Sequence, residues 1–474
     1  MKRIYAMYQF FDTLIANISN VMYSYLLIIM LLAVGIYFTF RTKFVQLRLL
    51  GESIKVVTEK KDDGSVSSFQ ALMVSTASRV GTGNIVGVAN AIAIGGYGGV
   101  FWMWIIAIVG GASAFIESTL AQIYKKRDKD GGSYGGPSYY IEAALKSRWL
   151  GVVFAVALIA TYAGGFNMLC SYNLVTSLSG YSFYNSNVPM ICGAVLAVLV
   201  GFCIFGGGKR ILKVTGVMVP VMGVLYILMA LVTMVLNIGT LPMVFKNIFV
   251  AAFDFKAIFG GFAGSAIMQG IKRGLYSNEA GVGSAPNAAA AADVSHPVKQ
   301  GLVQMLSVFI DTILICTATA MMCLSSGIVP SPELSGAPFV QTALATKFGA
   351  FGPVFITVSL LLFAFTTLIG NLYYCEGCLN YIAKRQVGKT GMNIFRAAAC
   401  VIVFVGAMLE FGFVWNLADV LMGIMAIINL PVIVILSKPA LACLNDYLKQ
   451  RKEGKNPEFK AASIGLKDKT DFWK

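Results

Sequence analysis

Polar and glycine residues that could hold a small ligand interrupt an apolar stretch, RVGTGNIVG, at residues 79–87. Glycine costs a helix interior about 1 kcal/mol relative to alanine, so Gly81 and Gly83 predict a break in the helix. A break frees backbone N–H and C=O groups, and Thr82 and Asn84 add a hydroxyl and an amide at the same place. These groups could bind a carboxylate, an ammonium group or a cation without covalent chemistry.

Covalent and metal-centred chemistry have little support elsewhere in the sequence. Cys375 and Cys378 have the spacing of redox and metal sites, but no second ligand pair follows, and the only histidine, His296, is distant in sequence. Most of the nine cysteines fall in apolar runs, where a thiol acts as a small hydrophobic group. No cluster of nucleophile and base is evident, so we predict that the protein is not an enzyme.

The composition indicates where these residues must be positioned. The chain is 57% hydrophobic and 12% charged, with a mean hydropathy of +0.75, whereas soluble domains contain about 25% charged residues. Apolar runs of about 20 residues recur along its length, which is the signal of helices that span a bilayer. The net charge of +15 then belongs to loops beside the membrane, and neither a nucleic acid nor an obligate protein partner is implied.

The apolar runs predict an all-α polytopic membrane protein with eleven transmembrane helices. We place them at residues 19–40, 69–94, 100–123, 150–174, 188–206, 214–237, 254–271, 299–323, 353–380, 394–411 and 414–437. Lysine and arginine collect in every second connection, which predicts that the N-terminus lies outside and the C-terminus in the cytoplasm. Only Lys2 and Arg3 oppose this orientation.

Glycine clusters divide the chain into two related halves. Span seven contains GGFAG at residues 260–264, five spans after the break at Gly81, and the charge pattern makes the two broken helices run in opposite directions. Broken helices at corresponding positions of inverted repeats are typical of secondary transporters, which bind substrate near the midplane. Two alternatives remain: the glycines only pack helices together, or the unwound segments line a channel without coupling.

The predicted organisation therefore has four parts. They are an N-terminal helix and cytoplasmic loop at 1–68, a first five-helix repeat at 69–237, a second five-helix repeat at 254–437 and a basic, solvated cytoplasmic tail at 438–474.

Two long motifs, SRVGTGNIVGVANAIAIGGYGGVFWMW at 78–104 and SNEAGVGSAP at 277–286, resemble the alanine-or-glycine:cation symporter family. The resemblance extends over nearly the whole chain. It implies the inverted-repeat fold of the neurotransmitter:sodium symporters with one extra N-terminal helix. It also implies Na⁺-coupled uptake of a small neutral amino acid through a bacterial or archaeal plasma membrane, with H⁺ as an alternative coupling ion.

The resemblance assigns roles to particular residues. Substrate would be held by Thr82, Gly83 and Asn84 on the first broken helix and by Gly261 and Gly264 on the other. The cation would be held by Ala77, Val80, Phe363, Thr366 and Thr367, through three backbone carbonyls and two hydroxyls. Alternatively, the two threonine hydroxyls only bond the preceding turn of their own helix.

Two positions depart from the family pattern. Cys170 stands where many members have glutamine, and Asn371 stands where many have tryptophan. Both residues would face the substrate, and the loss of a tryptophan opens volume. We therefore expect a larger or more polar pocket than one fitted to alanine, with glutamine, serine and threonine as further candidate substrates.

Ionisable residues within spans indicate function, because they are costly there. Arg79 borders the first break and needs a counter-ion, for which Glu279 and Glu117 are candidates; Asp311 lies in span eight. Arg79 and Glu279 could form an inner gate or a permanent structural ion pair. We expect Glu279 and the small-residue segment around it, 277–301, to lie at the cytoplasmic surface.

Overall fold

The computed structural model describes residues 2–59, 65–127, 132–254, 265–467 and 469–473, with side chains from residue 9 onwards. Within these ranges the fold is almost entirely helical, as predicted. The only strands described there, Lys126–Arg127 and Ser133–Tyr134, form a short antiparallel hairpin in which Lys126 pairs with Tyr134.

Helices α1–α10 make up the first half of the molecule. They are α1 Gln9–Arg41, α2 Val45–Arg48, α3 Leu50–Val57, α4 Ser68–Arg79, α5 Gly83–Gly95, α6 Gly98–Ile123, α7 Pro137–Leu145, α8 Arg148–Thr176, α9 Val188–Ile204 and α10 Gly207–Leu236.

Helices α11–α19 make up the second half. They are α11 Ile238–Ala252, α12 Ala266–Asn278, α13 Pro286–Ala291, α14 Pro297–Leu324, α15 Gly336–Phe348, α16 Phe351–Ala383, α17 Lys389–Gly406, α18 Phe411–Ile435 and α19 Ser437–Lys452. Short 3₁₀ turns at Ile238–Thr240, the start of α11, and at Ala461–Ile464 complete the described helices.

Eight described helices are long and apolar enough to cross a membrane: α1, α6, α8, α10, α14, α16, α17 and α18. The predicted count of eleven is not confirmed. A count based on helix length misses spans that consist of two short helices placed end to end. The pairs α4 with α5 and α12 with α13 are of this kind. The large buried core lies among the long helices, with Tyr140, Phe115 and Phe154 fully enclosed.

The first predicted break is confirmed. Helix α4 begins with a capping box between Ser67 and Gln70 and ends at Arg79. Val80 leaves the helical region with ψ 84°, and α5 begins at Gly83 as a π-helical turn. The interruption therefore falls between Arg79 and Gly83, within the glycine-rich motif.

The second described interruption lies at residues 279–285, away from the predicted position. Helix α12 begins after Ser265, whose hydroxyl accepts a bond from the Met268 N–H (3.2 Å), and ends at Asn278. Span seven was predicted at 254–271 with its break at 260–264. Gly261 and Gly264 lie outside the described residues, so the structure describes neither glycine.

The depth of this second interruption follows from its packing on α6. Gly270 packs against Gly99 at the start of α6, and Ala280 packs against Gly110 near its middle. Glu279 is only 1% exposed. The expectation that Glu279 lies at the cytoplasmic surface is therefore wrong, because the chain reaches it only halfway along a helix long enough to cross the membrane.

The short helix α13 completes this broken span. Near the end of α6, the Gln122 side-chain amide donates to the carbonyl oxygens of Ala289 and Ala292 (2.5 and 2.8 Å). Helices α12 and α13 together thus run the length of α6, with the interruption between them.

The C-terminal tail is not simply solvated. Helix α19 buries one stripe, which consists of Ala440, Cys443, Leu444 and Tyr447. Further along, the Phe459 N–H donates to the Ser295 carbonyl (2.9 Å), and the Trp473 indole donates to the Gln122 carbonyl (2.7 Å). The tail packs because this helical stripe is apolar, although the segment as a whole is strongly charged.

Candidate functional site

The two interruptions lie at one depth and face each other. The ring of Tyr276 lies so close to Gly83 that a Cβ there would come within 2.5 Å of a ring carbon. Beside it, the Asn84 side-chain amide donates to the Ser277 hydroxyl (2.9 Å). The start of α5 therefore meets the end of α12, and the helix ends that the two breaks create share one buried region.

Asn84 and Asp311 hold the first interruption. The Asn84 Oδ1 accepts from the Gly81 N–H (2.8 Å), and its Nδ2 donates to Asp311 Oδ1 (2.7 Å). The second Asp311 oxygen accepts from the hydroxyls of Ser277 (2.6 Å) and Thr312 (2.8 Å). The amide predicted to contact substrate is thus engaged by the protein, and Asp311 joins α14 to both broken helices.

Thr82 and Cys170 are brought together, as expected for two residues of one pocket. The Thr82 hydroxyl lies 3.7 Å from the Cys170 sulfur and accepts from the Asn173 side-chain amide (2.9 Å). Both partners are on α8. Thr82 therefore points to the opposite side of the break from Asn84.

Asn371 lies next to the same helix. Its Nδ2 donates to Asn167 Oδ1 (2.9 Å), and its Oδ1 accepts from the Ser78 hydroxyl (2.7 Å). Asn167 precedes Cys170 by three residues on α8, so α16 and α8 bring Asn371 and Cys170 to neighbouring positions beside the first break. Sequence reasoning did not find Asn167 or Asn173, although both are amides inside an apolar span.

Several buried polar atoms around the first break have no hydrogen-bond partner among the described residues. They are Nδ2 of Asn167, Oδ1 of Asn173, and Nε and Nη2 of Arg79. An unpaired buried polar group costs about 1–3 kcal/mol, and buried groups are normally paired. Because these atoms lie beside an unwound segment, they are available to a polar ligand that binds there.

Four of the five predicted cation ligands form two hydrogen-bonded pairs. The Thr367 hydroxyl donates to the Ala77 carbonyl (3.0 Å) across the gap between α16 and α4, beside the non-helical Val80. The Thr366 hydroxyl instead donates to the Phe363 carbonyl (3.1 Å) on its own helix. Thr367 therefore reaches the break, whereas Thr366 has the intrahelical bond that was the alternative.

Arg79 and Glu279 do not form an ion pair among the described contacts. Arg79 donates to the Gln304 carbonyl (3.2 Å), and Glu279 accepts from the Ser284 hydroxyl (2.6 Å). Glu117 bonds elsewhere as well: it accepts from the Asn429 amide (2.8 Å). All three side chains are buried, so the predicted gate is not closed by direct contact in this structure.

The second interruption is wider and has three residues with positive φ: Glu279 (54°), Gly281 (82°) and Gly283 (91°). Its backbone is held by side chains of the surrounding helices. Glu117 accepts from the Gly281 N–H (3.3 Å), and Asn429 donates to the Gly281 carbonyl (3.0 Å). Sequence reasoning did not assign Asn429 a role, because one asparagine in an apolar span gives no sign of its partner.

Comparison with known proteins agrees with this architecture. The sodium:alanine symporter family model matches residues 8–461. In structure, the chain is similar to the crystal structure of MhsT in complex with L-phenylalanine, with a TM-score of 0.57, 13% identity, and coverage of 87% of this chain and 97% of that one. This likeness shows the fold, and it is the fold class that was predicted: an inverted repeat with broken helices.

Curated relatives cover almost the entire chain. The amino-acid carrier protein AlsT of Bacillus subtilis is 47% identical, with 98% of each chain covered. The probable sodium/glutamine symporter GlnT of the same organism is 44% identical, covering 96% of this chain and 94% of that protein. The sodium/alanine symporter AgcS of Methanococcus maripaludis is 39% identical, with coverages of 94% and 99%. With two facing helix breaks and this similarity along its whole length, the chain belongs to the sodium:alanine symporter family.

Proposed function

We propose that this protein is a secondary transporter that couples Na⁺ entry to the uptake of a small neutral amino acid. The observation that carries the proposal is the meeting of two interrupted helices at one depth, next to unpaired polar atoms of Asn167, Asn173 and Arg79. The membership in a sodium:alanine symporter family supports the same function.

The helix ends match the two charges of a zwitterion. Helix α5 begins at Gly83 and presents the positive end of its dipole, and α12 ends at Asn278 and presents the negative end. A substrate carboxylate would lie at the first end and its ammonium group at the second. Both partial charges are supplied by the backbone, so neither end of the zwitterion needs an oppositely charged side chain.

The cation would bind beside the first break. Ala77 O and the Thr367 hydroxyl, with the Val80 carbonyl, form the part of the predicted set that reaches the interruption. Neutral oxygens suit a hard cation such as Na⁺. Relatives named as sodium/proton-dependent alanine carriers, one of them 42% identical, keep H⁺ as the second candidate ion.

The substrate side chain would face Cys170 and Asn371. Cys170 adjoins Thr82 within the break, and Asn371 adjoins Ser78 just before it. The asparagine and the thiol leave more room than the tryptophan and glutamine of other members, and Asn371 has an acceptor oxygen that tryptophan lacks. We therefore propose that the substrates include a neutral amino acid with a polar side chain, glutamine foremost, in addition to alanine.

Uptake into proteoliposomes tests the proposal. An inward Na⁺ gradient should drive labelled alanine or glutamine above its external concentration, and an ionophore that dissipates the gradient should abolish the accumulation. The same vesicles with an inward H⁺ gradient and no Na⁺ identify the coupling ion. Uptake that stops at equal concentrations on both sides would identify a facilitator or channel and contradict the coupled mechanism.

The proposed location is the plasma membrane of a bacterium or archaeon, with the N-terminus outside and the C-terminus in the cytoplasm. The lysine and arginine distribution supports this orientation. A protease added to intact cells and to inverted vesicles tests it: cleavage within the tail should occur only in the inverted vesicles.

A further inference from the structure

A basic cleft lies where α7, α8 and α16 meet the β-hairpin, separate from the two interruptions. Its volume is about 880 Å³. Its lining includes one carboxylate, Glu142, and six cationic side chains. The six are Lys126, Arg127, Lys146, Arg148, Lys384 and Arg385.

Two of the six cations are used by the protein itself. Arg148 pairs with Glu142 (3.0 Å) and also donates to the Ile382 carbonyl at the end of α16 (3.1 Å). Arg127 donates to the Phe472 carbonyl (3.0 Å). The other four form no ion pair with any acidic residue that the structure describes, so the described part of the cleft has an excess of positive charge.

Lys146 and Lys384 have an unusual backbone conformation. Each directly follows the end of a helix, α7 and α16, and each has positive φ, 57° and 56°. Glycine is the common residue at such a helix end, because it adopts this conformation without strain. A lysine at a helix end also favours the helix dipole. That effect explains a lysine at either end but not the convergence of both lysines on one cleft.

The cleft lies at the level of the membrane surface. Helix α8 begins at Arg148 and α16 ends at Ala383, and both helices are long enough to span. Trp149, in the first turn of α8, is 74% exposed, and tryptophan is enriched where bilayer meets water. In a bilayer, lipid phosphate groups would lie at the level of Lys146 and Lys384, and basic pockets between spanning helices suit anionic headgroups.

We propose that this cleft binds a phosphate-bearing anion, and that the phosphodiester headgroup of an anionic membrane lipid is its source. Lys146 and Lys384 contact the phosphate from two sides, with Lys126 and Arg385 adding charge at the rim. The alternative source of the same chemistry is a soluble phosphate compound such as a nucleotide.

Lipid retention by matched variants tests the proposal. The purified full-length protein is titrated with phosphatidylglycerol in phosphatidylcholine micelles, and bound lipid is counted by native mass spectrometry. The cleft variant is Lys146→Gln with Lys384→Gln. The control is Lys209→Gln with Lys213→Gln, which removes the same charge from two exposed lysines in the first turns of α10, at a helix end predicted on the same side. A second arm titrates ATP and inorganic phosphate into protein held in phosphatidylcholine nanodiscs.

The two arms separate the possible outcomes. We expect the cleft variant to bind phosphatidylglycerol about tenfold more weakly than the control, while both variants melt at the temperature of the unmodified protein in phosphatidylcholine. Saturable binding of ATP or phosphate that is lost in the cleft variant, with unchanged lipid retention, would overturn the lipid source. Equal loss in both variants would overturn the site, because it would show only diffuse surface attraction.

Discussion

The two helix interruptions achieve the same result with different residues. The first is short, has no positive φ, and is held mainly by one carboxylate: Asp311 binds Asn84, which in turn binds the Gly81 N–H. The second extends over residues 279–285 and needs three residues of positive φ. It is held by Glu117 and Asn429 on two neighbouring helices. A short break therefore depends on a single side-chain cluster, whereas a wide break depends on backbone conformation and on several partners.

The largest effect should come from removing the carboxylate that holds the first interruption. Asp311→Ala removes the carboxylate acceptor of the buried Ser277 and Thr312 hydroxyls. It also removes one acceptor of the Asn84 amide, so we expect a loss of about 3 kcal/mol or more in stability. Glu117→Ala at the second interruption should cost less, because Asn429 still holds the Gly281 carbonyl. Thermal melting of the purified variants, followed by size-exclusion elution, measures both.

A double variant distinguishes loss of this cluster from general damage. Asn84→Ala with Asp311→Ala should cost clearly less than the sum of the two single changes, because each removes the other's partner. Strict additivity would show that the two residues act separately, and the first interruption would then not depend on their contact.

The difference between the interruptions also explains what could be predicted from sequence. The first break concentrates glycines and polar residues in nine positions, so its place could be predicted. The second is spread over seven residues, and α13 after it has only six residues, too few for an apolar run. The GGFAG cluster at 260–264 matched the expected pattern better, so the second break was predicted there. Those residues lie outside the described ranges, and the described interruption at 279–285 was not predicted.

Contacts between distant segments could not be predicted from hydrophobic periodicity, and only the family resemblance placed Thr367 with Ala77 and Thr82 with Cys170 in common sites. Asn84 and Asp311 are separated by 227 residues, and neither position has a pattern that points to the other. The same holds for Asn371 and Asn167, which are 204 residues apart. Hydrophobic periodicity gives the helices and their order, but polar pairing across the core depends on how the helices are rotated when they pack.

A methyl group at a glycine should affect the wide interruption more than the short one. Gly283→Ala forces alanine into positive φ and against Phe154 (2.7 Å from an added Cβ) and Asn429. We expect a loss of about 2–4 kcal/mol in stability. Gly81→Ala meets only the Thr367 side chain and should cost about half as much. Melting temperatures test this order, and an equal or larger loss for Gly81→Ala would contradict it.

The Na⁺ dependence of uptake should depend on the Thr367 hydroxyl beside the first interruption. Thr367→Val removes the hydroxyl that reaches Ala77 O but keeps the side-chain shape, so we expect the Na⁺ concentration for half-maximal uptake to rise about tenfold. Thr366→Val is the matched control, because its hydroxyl bonds its own helix, and it should shift that concentration by less than about twofold. Equal shifts in the two variants would mean that the cation does not bind at this break.

The smallest effect should be a change of substrate preference at the first interruption. Asn371→Trp fills space beside Ser78 and removes the bond to Asn167. It should raise the half-maximal concentration for glutamine about tenfold and that for alanine by no more than about threefold. Competition of unlabelled amino acids with labelled alanine measures both values, and an unchanged melting temperature confirms that the fold is intact.

The control variant is Phe154→Leu, a change beside the second interruption, which should alter the half-maximal concentrations of both substrates by the same factor. If Asn371→Trp also weakens alanine and glutamine by the same factor, the substrate side chain does not lie on the α8 and α16 side of the first break, and the segment at 279–285 becomes the place to look for selectivity.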